Sequence, residues 1–143
     1  MPRLSRWMVR AAFLHLAYGF LFGGLMLLHK AWPLHPRAMA LLPWHIHAML
    51  IGWTVQFTFG VAFWIFPRFA LERPGDPRGR SGLAWAAFGL LNAGVVLAGA
   101  SVWIPLPAAA GLPFLGAALE AAGVAAFLIH LWPRIRPAGM GSP

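Results

Sequence analysis

Long apolar runs separated by short polar segments dominate the sequence. Four of these runs reach or exceed the roughly 20 residues that a membrane-spanning helix needs. They lie at about 8–29, 44–66, 82–103 and 111–132. The segments around them are too short for a separate soluble domain. The pattern therefore predicts an all-α protein with a single membrane domain, residues 1–143, built from four transmembrane helices.

The connections between the runs are short, and short connections favour antiparallel neighbours. We therefore expect an up-down-up-down bundle. The first connection, residues 30–43, contains three prolines and predicts a stiff external loop. The second, residues 67–80, is charged and rich in Pro and Gly, which is typical of a solvated loop.

The distribution of positive charge predicts the orientation of the bundle. The formal net charge is +8, and of the 11 basic residues only Lys30 and Arg37 fall on one side of a four-span arrangement. The positive-inside rule places the other side in the cytoplasm, so both termini are expected there. The basic residues then act as topology signals and lipid-headgroup contacts rather than as a nucleic-acid site. We expect an integral protein of a bacterial inner membrane.

Two further features narrow the function classes. The first apolar run is too long for a typical signal peptide, so it is expected to remain as the first helix. The chain contains no cysteine. This excludes disulfides within the chain, iron–sulfur ligation by its own thiolates and covalent c-type haem attachment.

Histidines are the main candidates for chemistry, because ionisable groups inside a membrane are costly and often functional. From the ends of the apolar runs, His15 and His130 are expected at similar depth near the cytoplasmic side. Each shares a helix face with glycines. Such faces serve either close helix packing or contact with a flat macrocycle. The glycines in question are Gly19 and Gly23 in the first helix, and Gly116 and Gly123 in the fourth.

His29 lies fourteen residues after His15 on the first helix. At about 100° per residue the two fall near one face, roughly 21 Å apart along the axis. This spacing suits two haems stacked across a bilayer. The alternative for His29 is an interfacial side chain that reaches the membrane surface.

His45 and His47 open the second helix two residues apart and point about 200° away from each other. They therefore cannot both face one ligand. His45 shares its face with Met49 and Gln56, and His47 shares its face with Thr54. Polarity alone does not say which face points inward. The alternative is a pair of interfacial histidines at a helix start.

The segment from His45 to Pro67, HIHAMLIGWTVQFTFGVAFWIFP, resembles the second transmembrane helix of haem–copper oxidase and nitric-oxide reductase catalytic subunits. It also resembles short oxidase-subunit-I-like membrane proteins with an H-x-H-x-x-x-x-G-W opening, matched here by His45, His47, Gly52 and Trp53. The resemblance covers the first two helices. It implies a haem ligand at His45 or His47. The helices that supply the copper-site histidines of those enzymes have no counterpart here, so oxygen reduction is not implied.

Glu120 is the one acidic residue inside a predicted span. A charged carboxylate there is costly, so we expect it to be neutral, hydrogen-bonded or paired. It is either a proton relay or group near a haem, or one half of an interhelical hydrogen bond. The expected partner for such a bond is either Asn92 or a residue of a second subunit.

The leading hypothesis is a membrane protein with one or two b-type haems, for electron transfer or for binding NO or O₂. An outer haem would use His45 or His47, opposed by His29 or a partner subunit, and an inner haem would use His15 and His130. We do not expect an enzyme on its own. Expected partners are the lipid bilayer, a second copy of the chain and a respiratory-chain protein.

Two alternatives remain open. One is a non-enzymatic accessory or assembly subunit of a respiratory complex, in which the histidines are structural. The other is a copper site at the outer rim, because imidazole suits copper. That site would be built from His29, His35, His45 and His47.

Overall fold

The computed structural model describes residues 1–69, 76–104 and 110–135, apart from the side chain of Val102. Within these residues it is all-helical, with no strand, and four helices are long and apolar enough to cross a membrane. The prediction of an all-α protein with four helices long and apolar enough to span a membrane is confirmed for these residues. The helices are α1 (Arg3–Ala31), α2 (Ala38–Ile65), α3 (Ser81–Ala100) and α4 (Leu112–Leu131).

The first helix, α1, begins five residues before the apolar run that predicted it. Its first turns are amphipathic. Leu4 and Met8 are buried, whereas Arg3 and Arg6 are exposed. A helix whose charged face reaches water needs no continuous apolar run, so hydropathy alone placed this boundary too late.

The second helix, α2, changes geometry along its length. A 3₁₀ turn at Ala38–Leu41 leads into α-helix at Leu42–His47, and Ala48–Val55 is π-helical. Regular α-helix then continues over Gln56–Ile65. Pro43 is tolerated because it lies in the first α-helical turn, where its missing N–H is not needed. The first connection is therefore shorter than the predicted loop over residues 30–43.

Helices α1 and α2 contact each other in reverse order along the chain. Gly60 lies against Met8, Gly52 against the ring of His15, and Gly23 against the ring of His45. The α2 face that carries His45 therefore packs on α1. Gly19 and Gly23 of α1 are covered by Met49 and His45 of α2, so these two glycines serve close helix packing.

Helices α3 and α4 also pair in reverse order, and they approach most closely at two glycines. A Cβ added to Gly116 would lie 2.7 Å from the Ala98 nitrogen and 2.8 Å from the Gly94 oxygen. Gly123 packs against Leu91. Small residues therefore let these two backbones touch.

We call the end of the bundle with Arg3, Arg80 and Arg134 the basic end, and the end with His29 and Lys30 the far end. A buried apolar cluster at the basic end contains residues of all four helices. It consists of Leu4, Met8, Phe63, Ala84, Ala87 and Phe127. This cluster joins the α1–α2 pair to the α3–α4 pair, so the histidines between the helices lie in one packed bundle.

Candidate functional site

His45 lies near the start of α2, with its ring against Gly23 of α1. Its Nδ1 is 2.7 Å from the carbonyl oxygen of Gly19. A carbonyl oxygen only accepts, so Nδ1 carries the hydrogen and the lone pair of the neutral ring is on Nε2. Among the described residues, Nε2 has no hydrogen-bond partner. Anchoring one ring nitrogen on a backbone carbonyl is the usual arrangement for a histidine that ligates metal through the other.

A groove of about 450 Å³ lies beside His45, between α1 and the first part of α2. We call it the His45 groove. Its walls are mostly apolar and include three thioether side chains, two glycines and one ammonium group. The lining residues are Phe20, Gly23, Gly24, Met26, Leu27, Lys30, Met39, Leu42, His45 and Met49.

His47 faces a different helix from His45, as the 200° separation predicts. Its Nδ1 lies 2.7 and 2.9 Å from the two carboxylate oxygens of Glu120 on α4. The Glu120 side chain is 8% exposed and the His47 side chain 27%. Glu120 therefore forms an interhelical bond, but its partner is His47 rather than Asn92. The hydrogen-bonded pair of His47 and Glu120 therefore links α2 to α4.

His15 has protein partners at both ring nitrogens. Its Nε2 lies 2.8 Å from Asn92 Oδ1, and its Nδ1 is hydrogen-bonded to the hydroxyl of Tyr18. The amide nitrogen of Asn92 donates to Gln56 Oε1 and Phe88 O, both at 2.7 Å. Its Oδ1 is therefore the acceptor, His15 Nε2 donates, and Nδ1 accepts from Tyr18. His15 belongs to a polar chain that crosses α1, α2 and α3.

His130 is also saturated. Its Nδ1 donates to the carbonyl oxygen of Arg80 at 3.0 Å, and its Nε2 accepts from Arg134 Nη1 at 3.2 Å. Its ring is stacked near Phe63, with the centroids 5.3 Å apart. Neither ring nitrogen of His130 is left for iron, and the same holds for His15.

The expectation that His15 and His130 lie at one depth was wrong. His15 rests on Gly52 and His130 on Phe63, eleven residues further along α2 (52 to 63). At a rise of 1.5 Å per residue this is roughly 16 Å. Because α1 begins at Arg3, His15 lies about three turns into its helix, whereas His130 lies in the last turn of α4. One iron cannot bind both residues.

His29 and His35 both accept hydrogen bonds from backbone amides of the first connection. His29 Nδ1 accepts from the Leu34 amide at 3.0 Å, and His35 Nδ1 accepts from the Arg37 amide at 3.1 Å. In their neutral forms the hydrogen is then on Nε2, unlike in His45. No group of three or more His, Asp or Glu residues able to hold a metal occurs in the described ranges. The predicted four-histidine copper site is therefore not assembled.

Arg134 has a structural role that the sequence patterns did not predict. This residue is only 1% exposed. Its guanidinium donates to Phe66 O at 2.7 Å, Pro67 O at 3.0 Å and Phe63 O at 3.2 Å. Carbonyls at a helix C-terminus lack partners within the helix, and a cation is favoured there. The available signal was its spacing of four residues from His130, which puts the two side chains on one helix face.

Replacing Asn92 by Leu tests the polar chain. His15 Nε2–H and Gln56 Oε1 would then lose their partners inside the bundle. Each buried unsatisfied group costs about 1–3 kcal/mol, so we expect the free energy of unfolding in detergent to fall by about that amount. Thr54→Leu, at an exposed position of α2, is the control. Equal stability of the two variants would show that the hydrogen bonds of Asn92 do not contribute to the free energy of unfolding.

No protein-family model, curated protein sequence or solved structure matches this chain.

Proposed function

We propose that this protein is a membrane haem protein that binds one b-type haem in the His45 groove, with His45 Nε2 as the iron ligand. The observation that carries the proposal is the tautomer of His45, which is set by the Gly19 carbonyl and leaves the lone pair on Nε2. The proposal includes an up-down bundle in a bacterial inner membrane. Both termini face the cytoplasm, in accordance with the positive-inside rule.

The chemistry of the groove supports a haem. Haem is a flat apolar macrocycle with two carboxylates, and the lining combines apolar side chains with the ammonium of Lys30. Gly24 has no atom within 4 Å of the position that a Cβ would occupy, so there is open space beside α1 at this point of the groove. Lys30 lies at the end of α1, where the membrane surface is expected, and is placed to pair with a propionate.

Among the described histidines only His45 lines the groove, and this favours gas binding over electron transfer within a single chain. Bound haem supplies an iron that exchanges electrons or binds a diatomic gas, depending on whether its second axial position is filled. His15 and His130 are saturated by protein partners, and His29 carries its neutral-ring hydrogen on Nε2. Among the described residues, His45 is thus the one histidine at the groove with a lone pair on an unbonded ring nitrogen. One ligand favours binding of NO or O₂, and a ligand from a partner subunit would favour electron transfer.

The test is the optical spectrum of the full-length protein, purified after expression with added haem precursor. We expect a Soret band in the oxidised and reduced states, and a shift when carbon monoxide is added to the reduced protein. Analysis of iron per chain should give one equivalent. Folded protein without a Soret band and without iron would overturn the proposal.

Copper(I) is a second candidate for the same groove, and a specific observation favours it. Three thioethers, those of Met26, Met39 and Met49, line the groove together with His45. Soft thioether ligands select copper(I) over harder metals. Elemental analysis distinguishes the two candidates. Copper without a Soret band would support this one, and iron without copper would exclude it.

A further inference from the structure

A second groove lies at the basic end, between the second connection and the last turns of α4. Its volume is about 600 Å³. Arg80 directly precedes α3, and Trp132 directly follows α4, so the groove opens where two membrane-spanning helices end. We call it the Arg80 groove. Its described lining includes Phe69, Arg80, Leu128, Ile129, His130 and Trp132.

The groove combines a cation with apolar walls. Leu128 and Ile129 are about half exposed on the face of α4 that points away from the other helices, and Trp132 is 75% exposed. Arg80 is exposed, and within the described ranges it forms no ion pair. Tryptophan at the end of a membrane helix is typical of the headgroup level of a bilayer. The groove therefore presents one positive charge at that level and an apolar surface below it.

Asp76, the described acid nearest to Arg80 along the chain, forms no ion pair with it. Burial alone would raise the pKa of Asp76, but hydrogen bonds from the Arg78 amide and the Ser81 hydroxyl and the nearby charge of Arg78 lower it overall. Asp76 is therefore ionised at neutral pH. It lies with Arg78 in a separate cavity that does not include Arg80. The charge of Asp76 acts on Arg78, His130 and Arg134, and no acid among the described residues forms an ion pair with Arg80.

Buried groups fix the backbone that carries Arg80. His130, which is 3% exposed, donates to the Arg80 carbonyl at 3.0 Å. Arg134 in turn bonds to His130 and to the carbonyls at the end of α2. The position of the cation at the groove is thus set by the packing of α2, α3 and α4. A preformed groove loses less conformational entropy on binding than a mobile one.

We propose that the Arg80 groove binds an anionic glycerophospholipid. Its phosphate would pair with Arg80, and one acyl chain would lie along Leu128 and Ile129. A free anion would use only the cation, and a neutral lipid would use mainly the apolar walls. Basic grooves between membrane helices on the cytoplasmic side are suited to anionic headgroups. This site is separate from the proposed haem site and does not depend on it.

The test uses the delipidated full-length protein in neutral detergent, with lipid adducts counted by native mass spectrometry. Phosphatidylglycerol and phosphatidylcholine with the same acyl chains are compared. We expect tighter binding of phosphatidylglycerol, weakened about fivefold in Arg80→Gln, which corresponds to the loss of one interfacial basic residue. Arg6→Gln, at an exposed arginine of the same end, should leave the affinity unchanged. Circular dichroism confirms that both variants are folded.

Three outcomes would overturn the proposal. The first is equal affinity for the two lipids. The second is an equal loss of affinity in Arg6→Gln and Arg80→Gln, which would indicate general charge attraction. The third is binding of glycerol phosphate as tightly as phosphatidylglycerol, which would indicate a plain anion site without an acyl-chain contact.

Discussion

An Arg134→Met protein should be less stable than the wild type by about 3–5 kcal/mol in detergent. Methionine preserves much of the aliphatic volume but offers no donor. The carbonyls of Phe63, Phe66 and Pro67 and the Nε2 of His130 would all lose the partner that they have in the folded protein. Each such group costs about 1–3 kcal/mol when it is buried without water. Water reaching the end of α2 would satisfy some of them, which keeps the total below the simple sum.

Chemical unfolding followed by tryptophan fluorescence measures this effect. Arg6→Met changes an exposed arginine at the same end and should leave the unfolding midpoint near that of the wild type. Arg134→Lys keeps the charge but lacks the planar fork of donors, so only part of the stability should return. Arg134→Met that unfolds at the wild-type midpoint would show that these hydrogen bonds do not stabilise the fold.

The second large effect rests on the proposed haem. His45→Gly should abolish the Soret band, because the iron would lose its only ligand from this chain. Exogenous imidazole should restore the band, which distinguishes a missing ligand from a misfolded protein. His47→Ala should keep its haem, since His47 faces α4 and bonds to Glu120. Haem content per folded chain is the measurement.

The opposite pattern would contradict this assignment. Loss of haem in His47→Ala together with retention in His45→Gly would move the ligand to His47. The carboxylate of Glu120 would then be the group that orients it. Full haem content in both variants would remove α2 as the source of the ligand. His35→Ala, in the exposed first connection, is the control for general effects of histidine loss.

Sequence patterns predicted the features that depend on neighbours along the chain. Four apolar runs predicted the four spans, because every backbone group must be satisfied within a helix that crosses a bilayer. Helical periodicity separated His45 from His47, and they do face different helices. Boundaries were less accurate where other local chemistry acted. The amphipathic start of α1 at Arg3 and the 3₁₀ entry to α2 at Ala38 both extend beyond the apolar runs.

The number of long apolar helices, their approximate limits and the faces on which the histidines lie follow from residues within a few turns, so sequence patterns were enough to predict them. Which imidazole nitrogens have partners depends instead on contacts between helices. His15 bonds to Asn92, His47 to Glu120 and His130 to Arg80. Each of these pairs joins residues at least fifty positions apart, and the Gly19 carbonyl that orients His45 belongs to another helix. Such contacts depend on how helices pack, which no local pattern specifies.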